Sequence, residues 1–253
     1  MTSDVFGEYG EYFDLLYGDK DYDAETDYLI GLLARLGATS GPMLELGSGT
    51  GRHGRRLAKA GFDVLGIERS QAMIGLSDAA GTTPGFSCRA GDIRDVRVDR
   101  KFDVVTALFH VLSYQVTTAD LLSVFRNARA HLAPGGLFVF DFWYGPAVHF
   151  LKPTVREKKM EGETLVVTRM SRPQWDQQRN LVDVHFDIEV RSRASGEVLK
   201  SFSEVHPMRY FSLPELDVIA ECTGFRREVA EEFLSGAAPS EQTWGVCVAL
   251  RAQ

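Results

Sequence analysis

The sequence predicts an α/β fold: a mostly parallel sheet with helices on both faces, interrupted late in the chain by an antiparallel β-rich module. Three observations predict it. Short apolar runs alternate with helical patterns over some 100 residues, from Met43 to Trp143. A glycine-rich turn, LELGSGTGRHG (Leu44 to Gly54), follows the first of those runs. From Thr154 to about Phe211 the pattern changes to strict alternation with little helical signal.

The elements follow in order. Residues 1–20 are dense in tyrosine and acid. Tyr28, Leu29, Leu32, Leu33 and Leu36 then recur at helical spacing, and Ser40-Gly41-Pro42 stop that helix. MLELG is a short buried strand that feeds the glycine turn, and RHGRRLAKAGF is a helix ended by Gly61. DVLGIE (Asp63 to Glu68) is a second strand, and Ser70 caps the helix after it. FSCRAGD is a third strand running into a loop. FDVVTALF (Phe102 to Phe109) is nearly unbroken apolar sequence, as expected of a strand covered on both faces. A helix from Thr117 is expected to close at Pro134-Gly135-Gly136, with a fifth strand over Leu137 to Trp143.

TLVVTRMS, NLVDVHFDIEVRSR and EVLKSFSEVHPMRYF read as antiparallel strands, with Ser195-Gly196 a hairpin turn. LPELDVIAECTGF restores a helix, Pro214 in its first turn and Gly224 at its end. Two strands, near Arg226 to Phe233 and Thr243 to Arg251, finish the chain. The organisation expected is an N-terminal lid segment and helix over 1–40, a cofactor-binding domain over 41–153 and 212–253, and an inserted module over 154–211. That module serves as an acceptor lid or as a homodimer surface.

Bulk properties exclude several classes. At 253 residues and 44% hydrophobic, the chain has material for a sizeable core. A net charge of −7 argues against a nucleic-acid binder, which needs a broad basic surface. Cys88, Cys222 and Cys247 are dispersed, as in reduced, cytoplasmic proteins. The acidic N-terminus does not resemble a signal peptide, and no apolar run approaches the roughly 18 residues of a membrane span. The six histidines show no H-x-H or H-E-x-x-H spacing, so no metal is expected.

The glycine turn can be parsed two ways. Gly47, Gly49 and Gly51 give G-x-G-x-G; Gly49, Gly51 and Gly54 give the dinucleotide fingerprint G-x-G-x-x-G. Glu45, a carboxylate inside an apolar strand, is unfavourable without a partner, and an ammonium-bearing ligand would supply one. Glu68, ending the second strand, suits a ribose diol in either cofactor class. Asp92 is placed to accept from an adenine amino group or, taken alone, to cap a loop. No Tyr-x-x-x-Lys pair and no His–Asp set of the kind hydride transfer needs is legible.

Together LELGSGTG, the acidic end of strand two, GD after strand three and LAPGGLFVFD resemble the class I S-adenosylmethionine-dependent methyltransferases, in that family's order over residues 42–142. The resemblance implies a Rossmann-like seven-stranded mostly parallel sheet whose last strand is antiparallel, with the inserted β module after strand five. It makes Gly47, Gly49 and Gly51 the cofactor glycines and assigns Gly54 to helix packing. Glu45, Glu68, Arg69, Asp92, Ile93 and Leu108 are the other cofactor candidates on these motifs. YFDLLYGDKDYDAE and the stretch from VHFDIEV to AECTGF are similar to N-methyltransferases of nucleotide-linked amino sugars. The acceptor so implied is a small molecule, best the amino group of a nucleotide-activated sugar. A sugar or metabolite hydroxyl, or a non-catalytic S-adenosylmethionine-binding role, are the alternatives.

Methyl transfer asks for positioning, desolvation and removal of a proton from the acceptor. His110, in ALFHVLSY after strand four, is the first candidate base, or else a packed histidine with no proton role. Five of the eight tyrosines fall between Tyr9 and Tyr28. Tyr12, Tyr17 and Tyr22 read as lid phenols reaching the cofactor and acceptor, with Tyr17 nearest the chemistry, or as edge packing. Trp143 and Tyr144 form a stacking wall or belong to the core. Arg169, Arg172 and Arg209 meet a diphosphate or are solvated. His206 is an acceptor-side or structural residue.

Overall fold

The computed structural model describes residues 5–253; residues 1–4, part of the expected N-terminal lid, lie outside the described residues. Two short helices, α1 (Glu8–Glu11) and α2 (Phe13–Leu16), precede α3 (Tyr22–Arg35). The Asp21 side chain caps α3 by accepting from Ala24 N–H, and Leu29, Leu32 and Leu33 are buried along one stripe. β1 (Gly41–Leu46), α4 (Arg52–Lys59), β2 (Phe62–Glu68), α5 (Gln71–Ala79), β3 (Phe86–Ala90) and β4 (Phe102–Ala107) then alternate. Ser70 caps α5 through Met73 N–H. A 3₁₀ turn (Val111–Tyr114) and α6 (Thr118–His131) lead to β5 (Leu132–Trp143).

These strands and the last two, β10 (Phe225–Glu232) and β11 (Gly245–Ala252), form one seven-stranded sheet ordered β10-β11-β5-β4-β1-β2-β3. β11 runs antiparallel to both β5 and β10, and the remaining pairs are parallel. Alternation along β1 separates two cores. Leu44 and Leu46 join the side chains of α6 on one face; Met43 joins those of α3 and α4 on the other. α8 (Leu213–Cys222), capped by Ser212 with Pro214 in its first turn, packs on the α6 face.

The inserted module is an antiparallel meander of β6 (Arg156–Glu161), β7 (Leu165–Asp176), β8 (Leu181–Ser192) and β9 (Val198–Arg209). Sequence patterning missed β6 because REKKME is an edge strand, charged and largely exposed, and an edge needs no apolar face. It also missed α7 (Gly145–Leu151), which is only seven residues long. The expected helix stop at Pro134-Gly135-Gly136 is corrected. α6 ends at His131, and the Pro-Gly-Gly lies inside β5 as an irregularity opposite Phe102 and Val104. A bulge of that kind tolerates proline's missing N–H.

The inner face of the meander meets the large sheet at one end, where Val182, Val184 and Met208 cluster with Trp143 of β5; at the other, Val167, Ile188 and Val190 face the N-terminal segment. There Tyr9, Phe13 and Leu16 of that segment fill the space between the two sheets, with Met73 of α5 beneath. Glu204 of β9 fixes that segment by accepting from Phe6 N–H (3.2 Å) and Tyr9 N–H (2.8 Å). On the other side Asp14 accepts from Thr50 Oγ1 (2.8 Å) and Arg52 Nε (2.9 Å) at the start of α4. Among the described residues no helix is long and apolar enough to cross a membrane.

Gly51 caps α4 at φ +78°, and a Cβ there would lie 2.7 Å from the Phe86 ring. The left-handed backbone alone costs an L residue about 1–2 kcal/mol. Gly51→Ala is expected to lower the melting temperature by several degrees, at about 2–4 °C per kcal/mol for a chain of this size. A scan in which the variant melts with the parent would contradict this packing.

Candidate functional site

The carboxyl ends of parallel strands leave backbone and loops free to bind a ligand, and the main cleft opens there, beyond β1, β2 and β4. It holds about 460 Å³, within the range of small-molecule sites. The glycine turn takes the chain from β1 into α4 with Gly47, Gly49 and Gly51 all at positive φ. A Cβ on Gly47 would lie 2.7 Å from Val111, so the turn presses on the 3₁₀ segment with no room for a side chain. Glu68, 6% exposed, accepts from Gly49 N–H (2.9 Å) and from Arg69 and Ser70 N–H (2.8 Å each). One carboxylate thereby ties the β1–α4 turn to the β2–α5 turn.

Gly47, Gly49, Glu68 and Arg69 line this cleft, as do Asp92, Ile93, Leu108 and Tyr22. Arg94 donates to Asp92 from its backbone (2.9 Å) and its guanidinium (2.9 and 2.6 Å), and spans to Asp120 (2.8 Å). The side-chain bond from Arg94 is the main influence holding the Asp92 carboxyl below its ordinary range, so Asp92 acts as an acceptor only. Polar Glu68, Asp92 and Arg52 share the lining with apolar Ile93, Leu108, Met73 and Phe13, a mixture that suits a nucleoside carrying an amino-acid end.

Three cofactor candidates are not brought to the cleft. Glu45 lies behind the turn, where a Cβ on Gly54 would fall 2.5 Å from its Oε2. It is 2% exposed, and Oε2 has no hydrogen-bond partner among the described residues. Burial, then the charge of Glu68, push its carboxyl up to about 8 against the pull of the Gly54 N–H. The expected ammonium partner is replaced by protonation. Gly51 packs on Phe86 instead of lining the cleft, and Tyr12 packs on Phe202 under the Lys200 ammonium.

Beside the cleft stands His110. It and Phe109 both adopt left-handed backbone (φ +62° and +64°), which costs about 1–2 kcal/mol each. His110 Nδ1 lies 2.6 Å from Asp141 Oδ2, and its backbone N–H donates to both carboxylate oxygens (3.3 and 3.2 Å). Burial raises the Asp141 carboxyl, but the charge and hydrogen bonds of His110 outweigh it, and the group ends below its ordinary range. Tyr17, Phe109, His110, Trp143 and Trp244 form a continuous row of rings, neighbouring centroids 5.0–6.2 Å apart. Trp143 thus stands beside the candidate base. Arg169 donates to Tyr9 Oη (2.6 Å) and Tyr17 Oη (3.0 Å), and no carboxylate pairs with it among the described residues.

The other acceptor candidates are displaced. Arg172 is on the outer face of β7, three residues from inward Arg169, and pairs with exposed Asp187. Arg209 pairs with Glu215 (2.7 Å), tying β9 to α8. His206 is 1% exposed, its Nδ1 3.1 Å from Tyr114 Oη and its Nε2 3.1 Å from Glu204; burial, against Glu204, pushes its imidazole below the usual range. Tyr144 packs on Phe142 and bridges to Phe211 in the core.

Sequence reasoning missed four residues. Asp141, in LFVFDFW, is a carboxylate inside an apolar run, the same signal that singled out Glu45, and with His110 it forms the His–Asp set that was not legible. His53 lines the cleft with Nε2 2.7 Å from Glu25 Oε2, and Lys20 pairs with that same carboxylate. Nothing in their spacing points to this contact.

The chain is similar to known methyltransferases. A family model described as a methyltransferase domain matches residues 43–136. The chain is 29% identical over 231 residues to the dTDP-3-amino-3,4,6-trideoxy-alpha-D-glucopyranose N,N-dimethyltransferase of Streptomyces venezuelae, covering 90% of this chain and 94% of that protein. It is 30% identical over 186 residues to the dTDP-3-amino-3,6-dideoxy-alpha-D-glucopyranose N,N-dimethyltransferase of Streptomyces fradiae, covering 73% and 72%. Among solved structures, Streptomyces venezuelae DesVI superposes with a TM-score of 0.78 at 25% identity, over 95% of this chain and 97% of that one.

The raised Glu45 carboxyl has a consequence for stability. A group that titrates higher in the folded state stabilises fully below its unfolded value, here 4.5, and that contribution is lost as pH rises through about 8. Glu45→Gln, which cannot ionise, is expected to raise the melting temperature at pH 8 more than at pH 5. An equal shift at both values would refute the protonated Glu45.

Proposed function

The chain belongs to the class I S-adenosylmethionine-dependent methyltransferases, and we propose that its acceptor is the amino group of a nucleotide-linked amino sugar. It is an enzyme that methylates a small molecule with S-adenosylmethionine as cofactor. The observation that carries the acceptor assignment is the span of the likeness to amino-sugar N,N-dimethyltransferases. A match over 90% of this chain cannot be confined to the cofactor-binding sheet.

The geometry supports this reading. When bound, S-adenosylmethionine supplies a methyl group activated by its sulfonium, which an amine nitrogen accepts by in-line displacement. This chain supplies the surroundings. Glu68 takes the ribose diol, Asp92 the adenine amino group, and Phe13 and Tyr22 cover the cleft. An amino sugar arrives as an ammonium, and His110 removes the proton that blocks its lone pair. The ring row offers flat faces to a sugar. Arg169, whose hydrogen bonds among the described residues go to phenols, offers its charge to the diphosphate.

Incubation with S-adenosylmethionine and a dTDP-3-amino sugar, followed by mass spectrometry, is expected to give mono- and dimethylated product. The matching 3-hydroxy sugar is expected to stay unmodified; methylation of the hydroxy sugar alone would move the assignment to oxygen. His110→Asn is expected to lower kcat by about 10² or more, the usual contribution of a general base, with S-adenosylmethionine affinity by calorimetry unchanged. An unaltered kcat would remove His110 as the base.

A further inference from the structure

We propose that Asp141 is a positioning residue for proton transfer: it holds the His110 imidazole as the tautomer protonated on Nδ1, so that Nε2 keeps its lone pair for the acceptor ammonium. The inference rests on the reading of His110 as base, but its geometry stands independently. Asp141 is 1% exposed in the middle of the large sheet, on β5 opposite Cys247 of β11. A buried carboxylate is retained only with strong donors. Among the described residues the hydrogen bonds that Asp141 accepts come from the His110 backbone N–H, and the Nδ1 of the same residue stands 2.6 Å from Oδ2 as an ion-pair contact without an aligned hydrogen bond. The two consecutive left-handed residues, Phe109 and His110, swing both groups onto the same carboxylate.

Buried His206 shows what a structural pair looks like. His206 also sits beside a carboxylate, yet both its ring nitrogens are committed, to Tyr114 and Glu204, and it is 1% exposed. The His110 side chain is 21% exposed, and its contact with the carboxylate is made through Nδ1. An Nδ1 held against a carboxylate on a partly exposed ring is the arrangement a base requires. In the step itself the ammonium proton passes to Nε2 and the N–H electron pair stays on the acceptor nitrogen. The imidazolium formed is balanced by the Asp141 carboxylate until water takes the proton.

The charged and titratable groups facing the pair are Lys20 from the N-terminal segment and Cys247 from β11. Both are retained in Asp141→Asn, so a difference reports on Asp141. The imidazole nitrogens of the full-length protein are followed by ¹⁵N NMR across pH, with His110→Asn assigning the signal. The wild type is expected to show the Nδ1–H tautomer. In Asp141→Asn the carboxylate that faces Nδ1 is gone, so the Nδ1–H preference should be lost and the Nε2–H tautomer should appear. The kcat of the variant should drop at least tenfold while the acceptor KM holds.

An Nε2–H tautomer in the wild type would overturn the proposal without need of any variant. So would an Asp141→Asn protein in which His110 keeps the parent's tautomer, whatever its rate. Full activity in His110→Asn with the expected tautomer in the wild type would refute the base but not the positioning.

Discussion

The carboxylate of Glu68 is the constraint on which the site depends. It ends β2, is nearly sealed from solvent, and gathers backbone N–H groups from two different turns. Hydrogen bonds to an ionised acceptor are stronger than neutral ones, and three of them fix the glycine turn against the start of α5. The positive φ values of Gly47, Gly49 and Gly51 bring that turn close enough to be held, and the contact of Gly47 with Val111 passes its position to the 3₁₀ turn. That turn begins directly after His110. Cofactor cleft and candidate base are therefore set by one short chain of contacts.

The N-terminal segment is the second organising part. It is a wedge between two sheets, not a surface flap, and its polar contacts reach three bodies. Glu204 takes its backbone on the inserted sheet, Thr50 and Arg52 take Asp14 on the α4 side, and Ser70 Oγ donates to the Phe6 carbonyl (2.9 Å). Tyr9 and Phe186 stack at 5.3 Å, and the His206 ring sits edge-on to both. His206 thus keeps the segment in register with β9 while Phe6, Phe13 and Tyr22 close the cleft.

Much of this was legible in the sequence where local rules decide. Apolar periodicity and caps located the strands and helices of the large sheet, because Leu44, Val105 and Phe140 must be buried whatever the tertiary context. The glycine turn, Glu68 and Asp92 were legible because a backbone turn and a carboxylate at a strand end carry their own chemistry. Side-chain direction was not. Arg169 and Arg172 have the same composition and neighbourhood, and only the pleat of β7 sends one inward and the other to Asp187. Glu45 and Asp141 are both carboxylates in apolar strands. One meets a histidine and stays ionised; the other meets a single N–H and takes up a proton. That difference lies in contacts 31 and 9 residues away along the chain, beyond the reach of any local pattern.

The central claim is that the Glu68-tied turn holds the methyl donor. The most direct measurement is calorimetric titration of the parent and Glu68→Ala with S-adenosylmethionine, with circular dichroism confirming that the variant is folded. Loss of a charged hydrogen-bonding group is expected to weaken binding by about 10- to 100-fold, equivalent to roughly 1.5–3 kcal/mol. A folded Glu68→Ala protein that binds S-adenosylmethionine as tightly as the parent would contradict the account, and the ribose site would have to be sought elsewhere in the cleft.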